Sequence, residues 1–276
     1  MKYEKIKFAD RYSFLKDIES QAEVEVYVQE MPKEMYQPYK KPAIVVCPGS
    51  GYLKCASREA EPVAIKLLAM DFNVLVITYS CAPARYPIQL LEVAALFDLI
   101  HRNKDEWNVD VERIGIMGFS AGGHLAALYS TDYDCDEIRA HFELTYKPVA
   151  AILCCPVISA DKTILTTASF ENLIGHHPVG EEVAKYSCEY HVNEHTPPTF
   201  IWHTADDTLV FVENSLRYAL ALSRNQIPYT LHVYPYGEHG LSTADKLTNN
   251  NMDTQISYTG AWLEEFEKWA NIIFHQ

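Results

Sequence analysis

Apolar residues in this chain gather into two kinds of run that take turns along it. Ala43-Ile44-Val45-Val46-Cys47 is short, unbroken and rich in β-branched side chains, which predicts a strand covered on both faces. Residues 59–70 instead carry apolar side chains at helical spacing, with Pro62 in the first turn, where its missing N–H costs nothing. Phe72 to Tyr79 predicts another buried strand, Leu90 to Trp107 an amphipathic helix, and Arg113 to Gly118 a further strand. The alternation resumes with strands at Val149 to Cys155 and Thr199 to His203, a helix from Val212 to Ser223, a strand from Tyr229 to Tyr234 and a closing helix from about Tyr258 to Phe274. Strand and helix in strict turn predict an α/β protein with a doubly wound, mostly parallel sheet and helices on both faces.

Two stretches depart from that rhythm. Val24 to Val28 alternates Val and Tyr with polar residues, the pattern of a half-buried edge strand, and Pro32 to Pro42 after it reads as a loop. Between Pro156 and Pro198 the alternation breaks in a polar, histidine-containing stretch, expected to be a small cap-like insertion (156–198) over the strand ends that helps form a pocket. No repeat or low-complexity segment divides the chain, so a single domain over 1–276 is expected.

Charge and cysteine usage then narrow the function classes. A formal net charge of -14, without a local Lys/Arg cluster, argues against nucleic acid and anionic membrane surfaces as partners. Met1 to Lys7 lacks the apolar core of a signal peptide, and no apolar run approaches the roughly 18 residues of a membrane span, so a cytoplasmic location is expected. Seven cysteines without CxxC spacing predict reduced core thiols rather than a disulfide framework or zinc knuckle. For assembly there is only the base rate for soluble enzymes, which favours a homodimer.

Candidate chemistry begins at Gly118-Phe119-Ser120-Ala121-Gly122, a G-x-S-x-G pattern lying between a predicted buried strand and an apolar helix. With 11 glycines and 14 serines, chance supplies this pattern about 0.02 times, so its position makes Ser120 a candidate nucleophile rather than an incidental turn. A serine hydroxyl needs a histidine to take its proton and a carboxylate to orient that histidine. His239, between Gly237 and Gly240 after one strand, is the candidate base, and Asp207 after the preceding strand the candidate acid, with Asp206 as fallback. Donors for a developing oxyanion are expected from the Ala121 amide at a helix N-terminus and from the Pro48 to Gly51 loop.

Other groups have plainer expected roles. His124, one turn past Ser120, is expected to orient structure, and His203 to end a strand. His176, His177, His191 and His195 invite a metal reading, but no H-E-x-x-H or carboxylate set accompanies them, so no metal or other cofactor is expected. Tyr52, Tyr79 and Tyr236 fall at predicted strand ends, where their rings serve either a sugar or acyl group or the core.

Cys47-Pro48-Gly49-Ser50-Gly51-Tyr52, Arg58-Glu59-Ala60-Glu61-Pro62-Val63-Ala64, Gly118 to His124 and Gly237-Glu238-His239-Gly240 together resemble blocks of the acetylesterase and xylan-esterase-like branch of the α/β-hydrolases, from about residue 40 to the C-terminus. The resemblance implies the α/β-hydrolase fold and hydrolysis of short acyl esters, acetyl groups on sugars among them. It maps a triad onto Ser120, Asp207 and His239, and the oxyanion hole onto Ser50, Gly51 and Ala121. Pro48 and Ser50 stand where the related H-G-G-G loop has His and Gly, and Phe211 where a proline often follows. A small-molecule ester is therefore the expected partner. The rivals are a peptidase using the same triad, which would act on aminoacyl anilides rather than acetyl esters, and a non-catalytic ligand receptor, which would bind without turnover.

Overall fold

The computed structural model describes residues 1–30, 34, 39–164 and 166–274. Its strands are β1 (Lys2–Lys7), β2 (Glu23–Val28), β3 (Lys41–Cys47), β4 (Asn73–Thr78), β5 (Val109–Phe119), β6 (Ala150–Cys154), β7 (Thr199–Thr204) and β8 (Tyr229–Tyr234). The helices are α1 (Ser13–Asp17), α2 (Glu61–Ala69), α3 (Ile88–Arg102), α4 (Ala121–Asp132) and α5 (Asp136–Arg139), then α6 (Thr167–Ile174), α7 (Glu181–Tyr186), α8 (Glu213–Arg224), α9 (Thr254–Thr259) and α10 (Trp262–Phe274). The strands form one sheet in the order β1-β2-β4-β3-β5-β6-β7-β8, with β3 to β8 parallel and β2 antiparallel to both its neighbours.

A strand between two helical layers is apolar over nearly all its length, since alternate residues serve different cores. In β3, Ala43, Val45 and Cys47 enter one core and Ile44 and Val46 the other. The first core is closed by α3, α4 and α8, for example through Leu96, Leu125 and Tyr218, and the second by α2 and α10 through Leu67, Trp262 and Phe266. Both layers are present, as the alternation of runs requires. None of the described helices is long and apolar enough to cross a membrane.

Several boundaries differ from expectation, each for a physical reason. Val24 to Val28 is not an edge strand: β1 pairs along it from Lys2 opposite Val28 to Lys7 opposite Glu23. Period-two alternation reports burial of one face and says nothing about whether both ladder edges are occupied. The outer strand is β1 itself, whose Lys2, Glu4, Lys5 and Lys7 give the exposed edge the charge that discourages further pairing. The stretch read as a loop up to Pro42 ends inside β3, where the register with β5 shifts between Lys41 and Ala43, a bulge that tolerates a residue without N–H. Most of the rest of that stretch lies outside the described residues. Helix α3 stops at Arg102 because Asn103 turns back, its side chain donating to the Leu99 carbonyl at 2.7 Å. Trp107 is then buried by the turn into β5, its indole N–H donating to Glu4 at 2.7 Å. The closing helix is two pieces, α9 and α10, separated at Gly260 and Ala261.

Glu92 on α3 is a fully buried carboxylate that joins the first loop to the end of β4, accepting from Ser20 Oγ at 2.6 Å and from the Ser80 amide at 2.7 Å. Burial pushes its pKa from 4.5 up to about 7, while the Ser20 and Ser80 bonds pull the other way. Between those values the folded state keeps a proton that the unfolded chain has released, so this group subtracts stability as pH rises through the window. Wild type should therefore lose roughly 3 kcal/mol relative to Glu92→Gln between pH 5 and pH 8. Urea unfolding of both proteins at the two pH values checks this, and parallel changes would refute it.

Candidate active site

Strand β5 runs straight into α4, and Ser120 is the single residue between them, held at φ 53 and ψ -119. A non-glycine residue keeps such a backbone only when its surroundings over-determine it. Here the Ser120 amide donates to Cys154 O at 3.0 Å, and its carbonyl accepts from His124 and Val157 at 3.1 and 3.0 Å. The turn also demands Gly122, where an added Cβ would run into the carbonyl oxygens of Cys47 and Pro48 at the end of β3. Strand order then does the gathering: β5, β7 and β8 are parallel, so the loops carrying Ser120, Asp207 and His239 leave the same edge of the sheet.

Those three side chains meet. His239 Nε2 lies 2.8 Å from Ser120 Oγ, and His239 Nδ1 lies 2.6 Å from Asp207 Oδ2. The carboxylate fixes the imidazole proton on Nδ1 and leaves Nε2 to accept from the serine. Asp207 is buried, whereas Asp206 is exposed and makes no such contact. The second oxygen of Asp207 accepts from the Leu209 and Val210 amides, both at 2.9 Å, and His203 Nε2 approaches Oδ2 at 3.2 Å. Burial alone would raise this carboxyl, but the His203 and His239 hydrogen bonds, the His239 charge and the Val210 amide outweigh it and hold the group well below the usual carboxylate range.

Across the cleft, the loop after β3 runs through Ser50 at φ 107 and Gly51 at φ 64. The amides of Ser50, Gly51 and Ala121 have no hydrogen-bond acceptor among the described residues; Ser50 and Gly51 line the cleft together with Ser120, and Ala121 follows it as the first residue of α4. Beneath the loop, Tyr79 donates its hydroxyl to Pro48 O at 2.6 Å and Tyr52 to His124 Nδ1 at 2.8 Å. His124 Nε2 in turn donates to Tyr186 O at 2.9 Å, and burial lowers its pKa to about 4, so it is a neutral brace. Tyr52 and Tyr79 are core residues here, and Tyr236 is half exposed outside the cleft lining.

The cleft encloses about 290 Å³. Beyond Ser120 and His239 its walls include Arg58 and Glu59 ahead of α2, and Thr166 and Ser169 from the 156–198 stretch. The Thr166 hydroxyl is buried and has no hydrogen-bond partner among the described residues. The histidines of the 156–198 stretch do not converge: His176 faces Glu182 at 3.0 Å, His177 faces Glu171 at 3.2 Å, His191 faces Asp132 at 2.8 Å, and His195 is exposed. Among the described residues no group of three His, Cys, Asp or Glu side chains is placed to hold a metal ion.

Sequence reasoning missed His203 as a neighbour of Asp207, although the i, i+4 spacing spans a strand end and its turn. Glu59 and Arg58 carry no local signal of a role in the cleft beyond their place in the Arg58 to Ala64 block.

Residues 27–222 match the BD-FAE family model. The chain is 29% identical over 236 residues to acetylxylan esterase of Xylanibacter ruminicola, covering 84% of this chain and 45% of that protein. It spans about a third to a half of the length of the curated relatives it matches. An acetyl ester-xyloside bifunctional hydrolase from Caldicellulosiruptor lactoaceticus superposes with a TM-score of 0.79 at 34% identity, over 91% of this chain and 88% of the other. An α/β-hydrolase from a Medee basin deep-sea metagenome library gives 0.79 at 27% identity over 100% and 99%. The fold is that of the α/β-hydrolases.

Proposed function

The chain belongs to the BD-FAE family, and from that premise we propose that it hydrolyses short-chain carboxylic esters, acetyl esters of sugars in particular. The observation that carries this is the run of contacts from Ser120 Oγ through His239 to Asp207, at 2.8 and 2.6 Å, opening on a small cleft lined by Ser50 and Gly51, whose amides have no acceptor among the described residues. In the proposed reaction Ser120 Oγ attacks the ester carbonyl carbon as His239 Nε2 takes its proton. The carbonyl oxygen gains the charge, received by the amides of Ala121 and of Ser50 and Gly51. His239 then protonates the departing alcohol, and a water that it deprotonates releases the acid and restores the serine.

Size and polarity support the choice of substrate. A cleft of about 290 Å³ lies at the bottom of the range for small-molecule sites, which suits an acetyl group better than a long acyl chain. Thr166, Ser169 and Arg58 offer hydrogen-bonding groups to a hydroxylated alcohol, and the Thr166 hydroxyl, which has no partner among the described residues, would gain one. The relatives named as an acetylxylan esterase and an acetyl ester-xyloside hydrolase agree with this reading. The test is hydrolysis of p-nitrophenyl acetate, butyrate and octanoate, followed by acetate release from acetylated xylo-oligosaccharides. Turnover should fall steeply with acyl length and acetate should be released; a preference for octanoate, or no ester turnover, would overturn the proposal.

A further inference from the structure

Glu59 is a charged residue only 3% exposed, set in the wall of the cleft by the short turn Ser57–Glu59 that precedes α2. No step described above uses it. Its Oε2 accepts the Gly49 N–H at 2.7 Å, and the Gly49 carbonyl accepts the Ala56 N–H at 3.0 Å, so the segment 56–59 grips both sides of one glycine. That glycine is wedged between the carboxylate and the nucleophile. A Cβ added there would lie 3.1 Å from Glu59 Oε2, 2.8 Å from Ser120 Cβ and 2.5 Å from Phe119 O. The next two residues are Ser50 and Gly51, whose amides are unengaged and whose backbone is left-handed.

We propose that Glu59 is a positioning residue that, through its hydrogen bond to Gly49, aims the Ser50 and Gly51 amides at the oxyanion. This rests on the ester-hydrolase reading of the same site and deepens it. Two consequences follow from the geometry. With its N–H committed to Glu59, Gly49 is removed from the set of oxyanion donors, which narrows the loop's contribution to the two amides after it. The bond holds the Pro48–Gly49 peptide plane, the one before the plane that carries the Gly49 carbonyl and the Ser50 N–H, so losing it would let the backbone turn about Gly49 and carry the following donors off target, where a misplacement near 1 Å costs about 100-fold. Only an acceptor at this position is required, not a negative charge. Burial already pushes the carboxyl's pKa up, with the Gly49 amide and the Arg58 and His239 charges pulling the other way.

Steady-state kinetics of the full chain on p-nitrophenyl acetate separate position from charge. Glu59→Ala and Glu59→Asp, the second keeping the charge but drawing the oxygen back by one methylene, should each lower kcat by about 10- to 100-fold with KM within twofold. Glu59→Gln keeps an oxygen in place and should regain kcat to within about fivefold of wild type. Glu59→Ala leaves a buried N–H without a partner, so unfolding midpoints accompany the rates, and the Asp and Gln variants carry the comparison if Ala does not fold. Equal losses in Gln and Asp, full activity in Asp, or a change confined to KM would overturn the proposal. Labelling of wild type by a p-nitrophenyl phosphonate is run alongside: no labelling would sink the ester-hydrolase reading itself, whereas labelling that proceeds equally in Glu59→Asp sinks the Glu59 proposal alone.

Discussion

Replacing Ser120 with alanine should lower kcat/KM on p-nitrophenyl acetate by about 10⁴- to 10⁶-fold and abolish labelling by a serine-directed phosphonate. The size of the effect follows from what is removed. Ser120 Oγ is the atom 2.8 Å from His239 Nε2, and without it no acyl-enzyme can form. What should survive is the contribution of the proposed oxyanion donors, the Ser50, Gly51 and Ala121 amides, to direct attack by water on a bound ester. The substitution should not disturb the elbow, since the Ser120 contacts that hold φ at 53 are backbone bonds to Cys154, His124 and Val157. A variant retaining a tenth of the activity would end the assignment of Ser120 as nucleophile.

Asp207→Asn should cost about 10⁴-fold in kcat, nearly as much, although the side chain touches no substrate. Oδ1 accepts from two amides and Oδ2 from His239, so an asparagine has nowhere to put its NH₂ group. Turned toward Leu209 and Val210, it opposes donor to donor. Turned toward His239, it makes Nδ1 an acceptor, moves the imidazole proton to Nε2 and leaves Ser120 without a base. The neighbouring Asp206→Asn is the internal control and should stay within twofold of wild type, because Asp206 is exposed. Activity surviving in Asp207→Asn and lost in Asp206→Asn would reverse the choice between the two carboxylates.

Much of this was legible along the chain because the signals are local. A strand buried on both faces is apolar through its middle, so β3, β4, β6 and β7 announce themselves, and a serine on a sharp strand-to-helix turn needs small neighbours, so Gly118 and Gly122 mark Ser120. The order Ser, Asp, His followed from reading one loop after another. Element ends were less legible where a side chain decided them, as Asn103 does for α3 and the bulge at Pro42 does for β3.

The sequence by itself determined the α/β class, the parallel core of the sheet and the loops in which the chemistry is gathered, since burial periodicity and turn chemistry are written over a few consecutive residues. Only the tertiary structure decided that β1 and not β2 is the outer strand, that Asp207 and not Asp206 reaches His239, and that Gly49 gives its N–H to Glu59. Each of those outcomes depends on which groups come within about 3 Å of one another across tens of residues of chain, and pairing at that range is set by how whole strands and helices pack rather than by the residues beside them.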